Sequence, residues 1–461
     1  MSKKLWGSRF PKKTSRLTDR FTSSISFDYR LAKYDVLGSI AHARMLGRQK
    51  IIPCVDAGRI VKGLQAILKD IEAGTFRFDP RAEDIHSNVQ DALRKQIGAA
   101  ADKLHTARSR NDQIALDVKM YLKDEIGEIL EAITLLEKSI LKFARRNATV
   151  IIPGYTHLRM AQCVLLSHHL LAYLQGLERD WERFRDALVR VDQMPLGSCA
   201  LSGTGLPIRR DAVMKELGFR ALTENSIDSV SDRDFIIEVL ADCSILAVHL
   251  SRIAEDLILW STKEFNFIDI DFAFCTGSSI MPHKKNPDVL ELIRGSVGTI
   301  HGDLSSVLIL MKGLPSSYNR DLQLDKPPLF DAIDTIKDIL EISVDLFQDI
   351  VIEKEAIAAK LEDESLFCVD VVEYLIKKGV AYRQAHDIVG TMVRDCLDKG
   401  KQISGLSPAA LKHYSLKLGP EVKKILNAKA SVELKKSYGG TSPALVARQL
   451  KKWSRRLDAR I

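Results

Sequence analysis

A chain of 461 residues, 46% apolar and 28% charged, can bury a large core and divide into two or three domains, and its balance is not that of a disordered protein. The formal charge of +8 is uneven: residues 401–461 carry 14 Lys/Arg against 3 Asp/Glu, whereas the remaining 400 residues carry 54 against 57. Seven scattered cysteines without a CxxC pair argue against a disulfide framework or zinc site. No run of 18 apolar residues and no apolar signal core in MSKKLWGSRFPKK are present, so a reducing cytoplasm is expected rather than secretion or a membrane.

Residues 1–110 read as short helices broken by Pro and Gly. The polar run Lys103–Gln113 follows, with Arg108, Ser109, Arg110 and Asn111 at the start of a long apolar-periodic segment. Arginine forks and helix N-terminal donors suit a carboxylate, while capping by Ser109 or Asn111 with solvated arginines is the alternative. From Gln113 to Arg146, Leu122, Ile126, Ile129, Ile133, Leu136, Ile140 and Phe143 recur at helical steps. A second polar run, Pro153–Gln162, holds Tyr155, Thr156 and His157 on a Pro/Gly-broken connection, where His157 is either a proton-transfer group or a hydrogen-bonded structural residue.

Long helical patterns also cover about Gln162–Val191, Asp232–Glu264, Pro287–Met311 and Leu329–Ile352. Five helices of this length need partners along their whole course, which predicts a bundle. Segments such as Ile237–Leu250, apolar on more than one face, favour contact with another subunit. Between two of these helices lies Gly277-Ser278-Ser279-Ile280-Met281-Pro282-His283-Lys284-Lys285-Asn286-Pro287. Lys284 and Asn286 are suited to hold a carboxylate, loop amides near Ser278 to stabilise an oxyanion, and Ser278 or Ser279 to move a proton. No GxSxG elbow surrounds the serines, which disfavours acyl transfer. A fourth polar run, Ser316–Pro327, mixes both charge signs and suits a substrate with amine, guanidine and carboxylate parts. Residues beyond about 360 return to shorter helices. Their cations follow helical patterns without a nucleic-acid module, so a solvated face or an anion-attracting field is favoured over nucleic-acid binding. Strand signals are sparse. The fold class expected is all-α, with an N-terminal helical domain over 1–110, a central bundle over 111–360 and a C-terminal helical domain over 361–461.

Taken together, the four polar runs resemble the argininosuccinate lyase branch of the fumarase/aspartase superfamily. GSS-x-MP-x-K-x-N at 277–286 matches the superfamily's signature loop, and HT-x-RSRND at 105–112, YTH at 155–157 and YNRDLQ-x-DK at 318–326 match the branch. LWG at 5–7, DSVSDRDF at 228–235 and SYGGT at 437–441 add to it, so the likeness covers essentially the whole chain. It implies a homotetramer with a central helical bundle and active sites composed from three subunits. It further implies reversible elimination of arginine from argininosuccinate to give fumarate, without metal or organic cofactor. By the same resemblance Ser278 is the loop base and His157 the partner acid, oriented by Glu291, although the two proton roles have also been assigned the other way round in the family. Lys284 joins the catalytic set, and Ser24, Arg110, Asn111, Thr156, Asn286, Tyr318, Gln323 and Lys326 match substrate-binding positions. Three positions depart from the family pattern: Ala107 replaces a glycine, His283 a glutamine and Gln90 a glutamate. Ala107 is expected to strain its turn if its φ is positive. A catalytically silent relative, like the lens crystallins of this family, and a nucleic-acid-binding protein are the alternatives; neither membrane nor nucleic acid is the expected partner.

Overall fold

The computed structural model describes residues 14–460, so the LWG run at 5–7 lies outside the described residues. Helices dominate, and five are long: Arg110–Arg146, Leu166–Val191, Asp234–Ser261, Asp288–Met311 and Lys326–Asp349. The apolar stripe read in the first of these is the buried one. Leu122, Ile126, Ile129, Ile133, Leu136 and Ile140 are fully buried and Phe143 nearly so. Lys326-Pro327-Pro328 opens the last, because proline lacks only a donor that the first helical turn leaves unpaired in any case.

One boundary departs from the periodicity for a physical reason. Residues 159–165 are not the start of a helix from Gln162 but the second strand of an antiparallel hairpin, paired with Ile151–Thr156. Ile151 faces Leu165, Ile152 faces Val164 and Thr156 faces Arg159, which leaves His157 and Leu158 as a two-residue turn. Their φ values are 53° and 56°. Both thus lie in the left-handed region, as hairpin turns that match strand twist require, but without the usual Asn-Gly.

The chain divides into two compact units, residues 1–130, 182–245 and 298–337, and residues 131–181, 246–297 and 338–461. Each long helix contributes residues to both. The first unit's core packs the helices Ala32–Arg48, Cys54–Glu72 and Ile85–Ile97 around Leu46, Ile60, Leu64, Ile67 and Leu93. Gly63 permits that approach, since a Cβ there would sit 2.6 Å from Leu93 Cδ1. In the second unit, Phe367, Val371, Leu375, Met392, Leu411 and Val432 pack with Cys163 of the hairpin. All seven cysteines are unpaired, and among the described residues no helix is long and apolar enough to cross a membrane.

Part of the basic C-terminal charge is spent inside the second unit. The amphipathic helix Pro443–Asp458 buries Val446, Trp453 and Leu457, and just beyond it Arg460 spans two acids. Its guanidinium lies 2.5 Å from Glu137 Oε2, also pairs with Glu178, and stacks 4.0 Å over the Trp181 ring. Burial pushes the Glu137 carboxyl up to about 8 despite Arg460. Arg460→Ala would remove the donor shared by two buried carboxyls together with its packing on Trp181. The expected loss is about 3 kcal/mol of unfolding free energy, read by urea titration, against a negligible change for the exposed Lys451→Ala.

Candidate active site

In the first unit four segments converge. Arg320 donates to Thr22 O at 2.6 Å and to Glu83 Oε1 at 3.0 Å, and Gln323 Nε2 donates to Thr22 O at 3.3 Å. Ser24 N–H donates to Glu83 O at 2.9 Å, and its hydroxyl donates to Asp28 Oδ2 at 2.6 Å. Asp28 Oδ1 in turn accepts Ile85 N–H at 3.1 Å, tying residues 22–28 to the start of the Ile85–Ile97 helix. Arg110 lies 3.4 Å from Asp84 through Nε and donates to Gln113 Oε1 at 3.0 Å. Ser24, Arg110, Asn111, Gln323 and Lys326 are thereby fixed within one unit, with Tyr318, whose hydroxyl burial pushes up, beside them.

Two cations of this unit are buried on one acid. Lys326 Nζ donates to Asp325 Oδ1 at 2.6 Å, and Arg233 pairs with the other oxygen of the same carboxylate. Desolvation holds the Lys326 ammonium below the usual lysine range, with Asp325 acting against it. Burial likewise raises the Asp28 carboxyl to about 6.

The start of the Arg110–Arg146 helix is clasped to the segment 197–200. Asp112 accepts Ser109 N–H at 2.9 Å, Gly197 N–H at 2.9 Å and Cys199 N–H at 2.8 Å, and Asn111 Nδ2 donates to Ala200 O at 3.1 Å. Ser109 accepts Asn111 N–H at 3.3 Å, so the capping reading of Ser109 holds together with the arginine cluster. Asp112 was not singled out in the sequence, though Ser-x-x-Asp before an apolar run is a capping signature. Ala107 has φ 57°, so the alanine does occupy a left-handed turn, and Cys199, at φ 54°, donates its thiol to Ala107 O at 3.3 Å. The departure at Gln90 also has a role: its amide donates to Ala101 O at 3.0 Å, a bond an ionised glutamate could not make.

Below this surface lie Asp35, His86 and Asp117, whose potential metal-ligating atoms fall within 4.8 Å of one another. Arg108, buried and donating to Ser39 Oγ at 2.8 Å, acts on both carboxylates as a cation, while burial and the neighbouring Asp35 push the Asp117 carboxyl up.

The second unit holds the proton-transfer candidates. Thr156 and His157 are exposed at the tip of the hairpin. Thr276-Gly277 and Lys285-Asn286 pair as two short antiparallel strands that close the signature loop over 278–284. Ser278 Oγ accepts Met281 N–H at 3.1 Å and Ile280 N–H at 3.4 Å, whereas Ser279 lies exposed without such a bond. Lys284 and His283 are exposed, Asn286 half-buried, and Glu291 exposed in the first turn of the Asp288–Met311 helix. Lys285, passed over in the sequence, is tied to Asp269 at 2.9 Å and stacks on Phe272, which leaves Lys284 as the loop cation that makes no side-chain hydrogen bond among the described residues. Neither His157 nor Glu291 makes one either.

A lyase family model matches residues 8–302, and one for the argininosuccinate lyase C-terminal region matches 366–433. An argininosuccinate lyase of Pelotomaculum thermopropionicum is 49% identical over 457 residues, covering 99% of each chain. That of Geotalea daltonii is 49% identical over 451 residues, covering 98% of each. Among solved structures, EDDS lyase in complex with formate superposes with a TM-score of 0.84 at 26% identity, covering 94% of this chain and 87% of that one.

Two outcomes are expected from this geometry. Ala107→Gly removes a left-handed Cβ and should raise unfolding free energy by about 0.5 kcal/mol, since the relief of about 1–2 kcal/mol exceeds the extra entropy of glycine. Because the folded pKa of Asp28 lies above its ordinary 3.8, its contribution to stability is complete below that value and is lost as pH rises through about 6. Asp28→Asn should therefore show a shallower fall of unfolding free energy over this interval than the parent, measured by urea titration at several pH values.

Proposed function

The chain belongs to the argininosuccinate lyase family, and from that premise we propose how its residues carry out the reversible elimination of L-arginine from argininosuccinate to give fumarate, a step of arginine biosynthesis. The observation that carries the assignment of roles is the brace on Ser278. Two loop N–H groups point at its hydroxyl oxygen, and donors to the charged form of a group favour that form. Ser278, as base, removes the proton from the carbon beside the substrate carboxylate, giving the doubly charged aci-carboxylate. The C–N bond then breaks, the C=C bond of fumarate forms, and His157 gives a proton to the departing guanidino nitrogen, oriented by Glu291. Lys284 and Asn286 hold the charge that develops on the carboxylate. Ser24, Arg110, Asn111, Thr156, Tyr318, Gln323 and Lys326 bind the rest of the substrate. No metal or organic cofactor has a part in this reading.

The proposal includes a homotetramer in the cytoplasm, whose composite sites draw on three subunits. Apolar side chains left uncovered on long helices support it. Leu292 and Ile309 are both 71% exposed on Asp288–Met311, and Val248 and Ile245 are exposed on Asp234–Ser261. Long helices with apolar side chains outside the subunit's own core are what packing against further copies would use. The division near residues 110 and 360 belongs to the same reading, since the five long helices fall between those points.

The test is fumarate formation from argininosuccinate, followed by ultraviolet absorbance. A folded tetramer that makes none would be a silent relative and would overturn the proposal. Ser278→Ala and His157→Asn should each lower kcat by about 10²- to 10⁴-fold. A substrate analogue with a better leaving group should restore part of the rate to His157→Asn and none to Ser278→Ala; equal responses would remove the role assignment.

A further inference from the structure

Gln113 is buried beneath the candidate site with its amide engaged at both ends. Its Nε2 donates to Asp35 Oδ1, and its Oε1 accepts Arg110 NH1 at 3.0 Å. The same Asp35 oxygen meets His86 Nδ1 at 3.0 Å. Burial alone would raise the Asp35 carboxyl, but His86, with Arg108 and Arg110, holds it below the usual carboxylate range, so it is an ionised acceptor. An ionised acceptor on one side and a guanidinium donor on the other leave one orientation for the amide. Arg110 meets Asp84 through Nε and Gln113 through NH1, and its NH2 makes no hydrogen bond among the described residues.

We infer that Gln113 is a positioning residue: it turns the NH2 edge of Arg110 toward a substrate carboxylate while keeping the Asp35 charge from capturing that guanidinium. The inference rests on Arg110 being a substrate-binding side chain, as proposed above. A neutral amide is what the position requires, because it passes orientation from Asp35 to Arg110 without passing charge. A carboxylate there would form its own pair with Arg110 and compete with the substrate. An apolar side chain would leave a long, rotamer-rich cation to be ordered by the substrate itself.

The experiment is steady-state kinetics of the intact enzyme with argininosuccinate. Gln113→Met should raise KM by about tenfold, equivalent to about 1.4 kcal/mol, with kcat within about twofold, the mark of lost uniform binding. Gln113→Glu supplies a readout that a purely structural role would not move. In contact with Asp35 and Arg110, which are themselves set among Asp84, Asp117, Arg108 and His86, the new carboxyl should take up a proton toward low pH and then imitate the amide. The parent-to-variant ratio of kcat/KM should thus widen steadily from about pH 6 to about pH 9. A ratio flat across pH, or a Gln113→Met that leaves KM unmoved, overturns the inference, and if Gln113→Met does not fold the Gln113→Glu profile decides. Arg110→Lys separates the two readings. If it raises KM while the Gln113 variants do not, the inference alone falls; if it leaves KM unmoved, the role given to Arg110 falls and takes the inference with it.

Discussion

Two buried cations share one carboxylate at Asp325, and the arrangement of the first unit's polar residues depends on it. Taking Arg233 and Lys326 out of water is costly unless each finds an acid, and removing one member of such a set costs about 3–5 kcal/mol. The demand locks two distant stretches together. Arg233 sits at the entry of the helix Asp234–Ser261 and Asp325 at the entry of Lys326–Asp349, so the pair fixes both helix starts and the run from Tyr318 between them. One acid cannot neutralise two cations. The field of Asp28 makes up part of the difference at Lys326, and Asp28 is in turn held by Ser24 and Ile85. Charge matching thus places residues 22–28, 83–86 and 318–326 side by side.

A similar economy governs the helix start at Arg110. Asp112 satisfies three backbone donors at once, and the bonds it accepts act against the desolvation that raises its carboxyl. Two non-glycine residues in left-handed backbone, Ala107 and Cys199, meet through a thiol-to-carbonyl bond at the same place. Strain of this sort persists where surrounding contacts over-determine it, and it gathers where side chains must be aimed.

Much of this could be read from residue order. The long helices were visible because their partners impose an apolar stripe over many turns, and the stripe on Arg110–Arg146 is the buried one. The four polar runs were visible because their composition suits neither core nor tail. What stayed hidden depends on pairing across long sequence separations. Arg233 and Asp325 lie 92 positions apart. The hairpin over 151–165 escaped because His157-Leu158 carries no Gly, Asn or Asp to mark a turn, and because Pro153 and Gly154 look like a break. Nor could spacing distinguish Ser278 from Ser279; only the folded loop directs two amides at the first and none at the second.

The His157–Leu158 turn has a consequence of its own. Each of its residues bears a left-handed penalty of about 1–2 kcal/mol, offset by the strand pairing behind it. A glycine there would be less strained but would sample many more backbone states. Two side-chain-bearing residues confine the backbone of the tip to few, so the exposed His157 side chain is carried on a stiff arm. Under the role proposed above for His157, a stiff hairpin would raise the effective molarity of its proton.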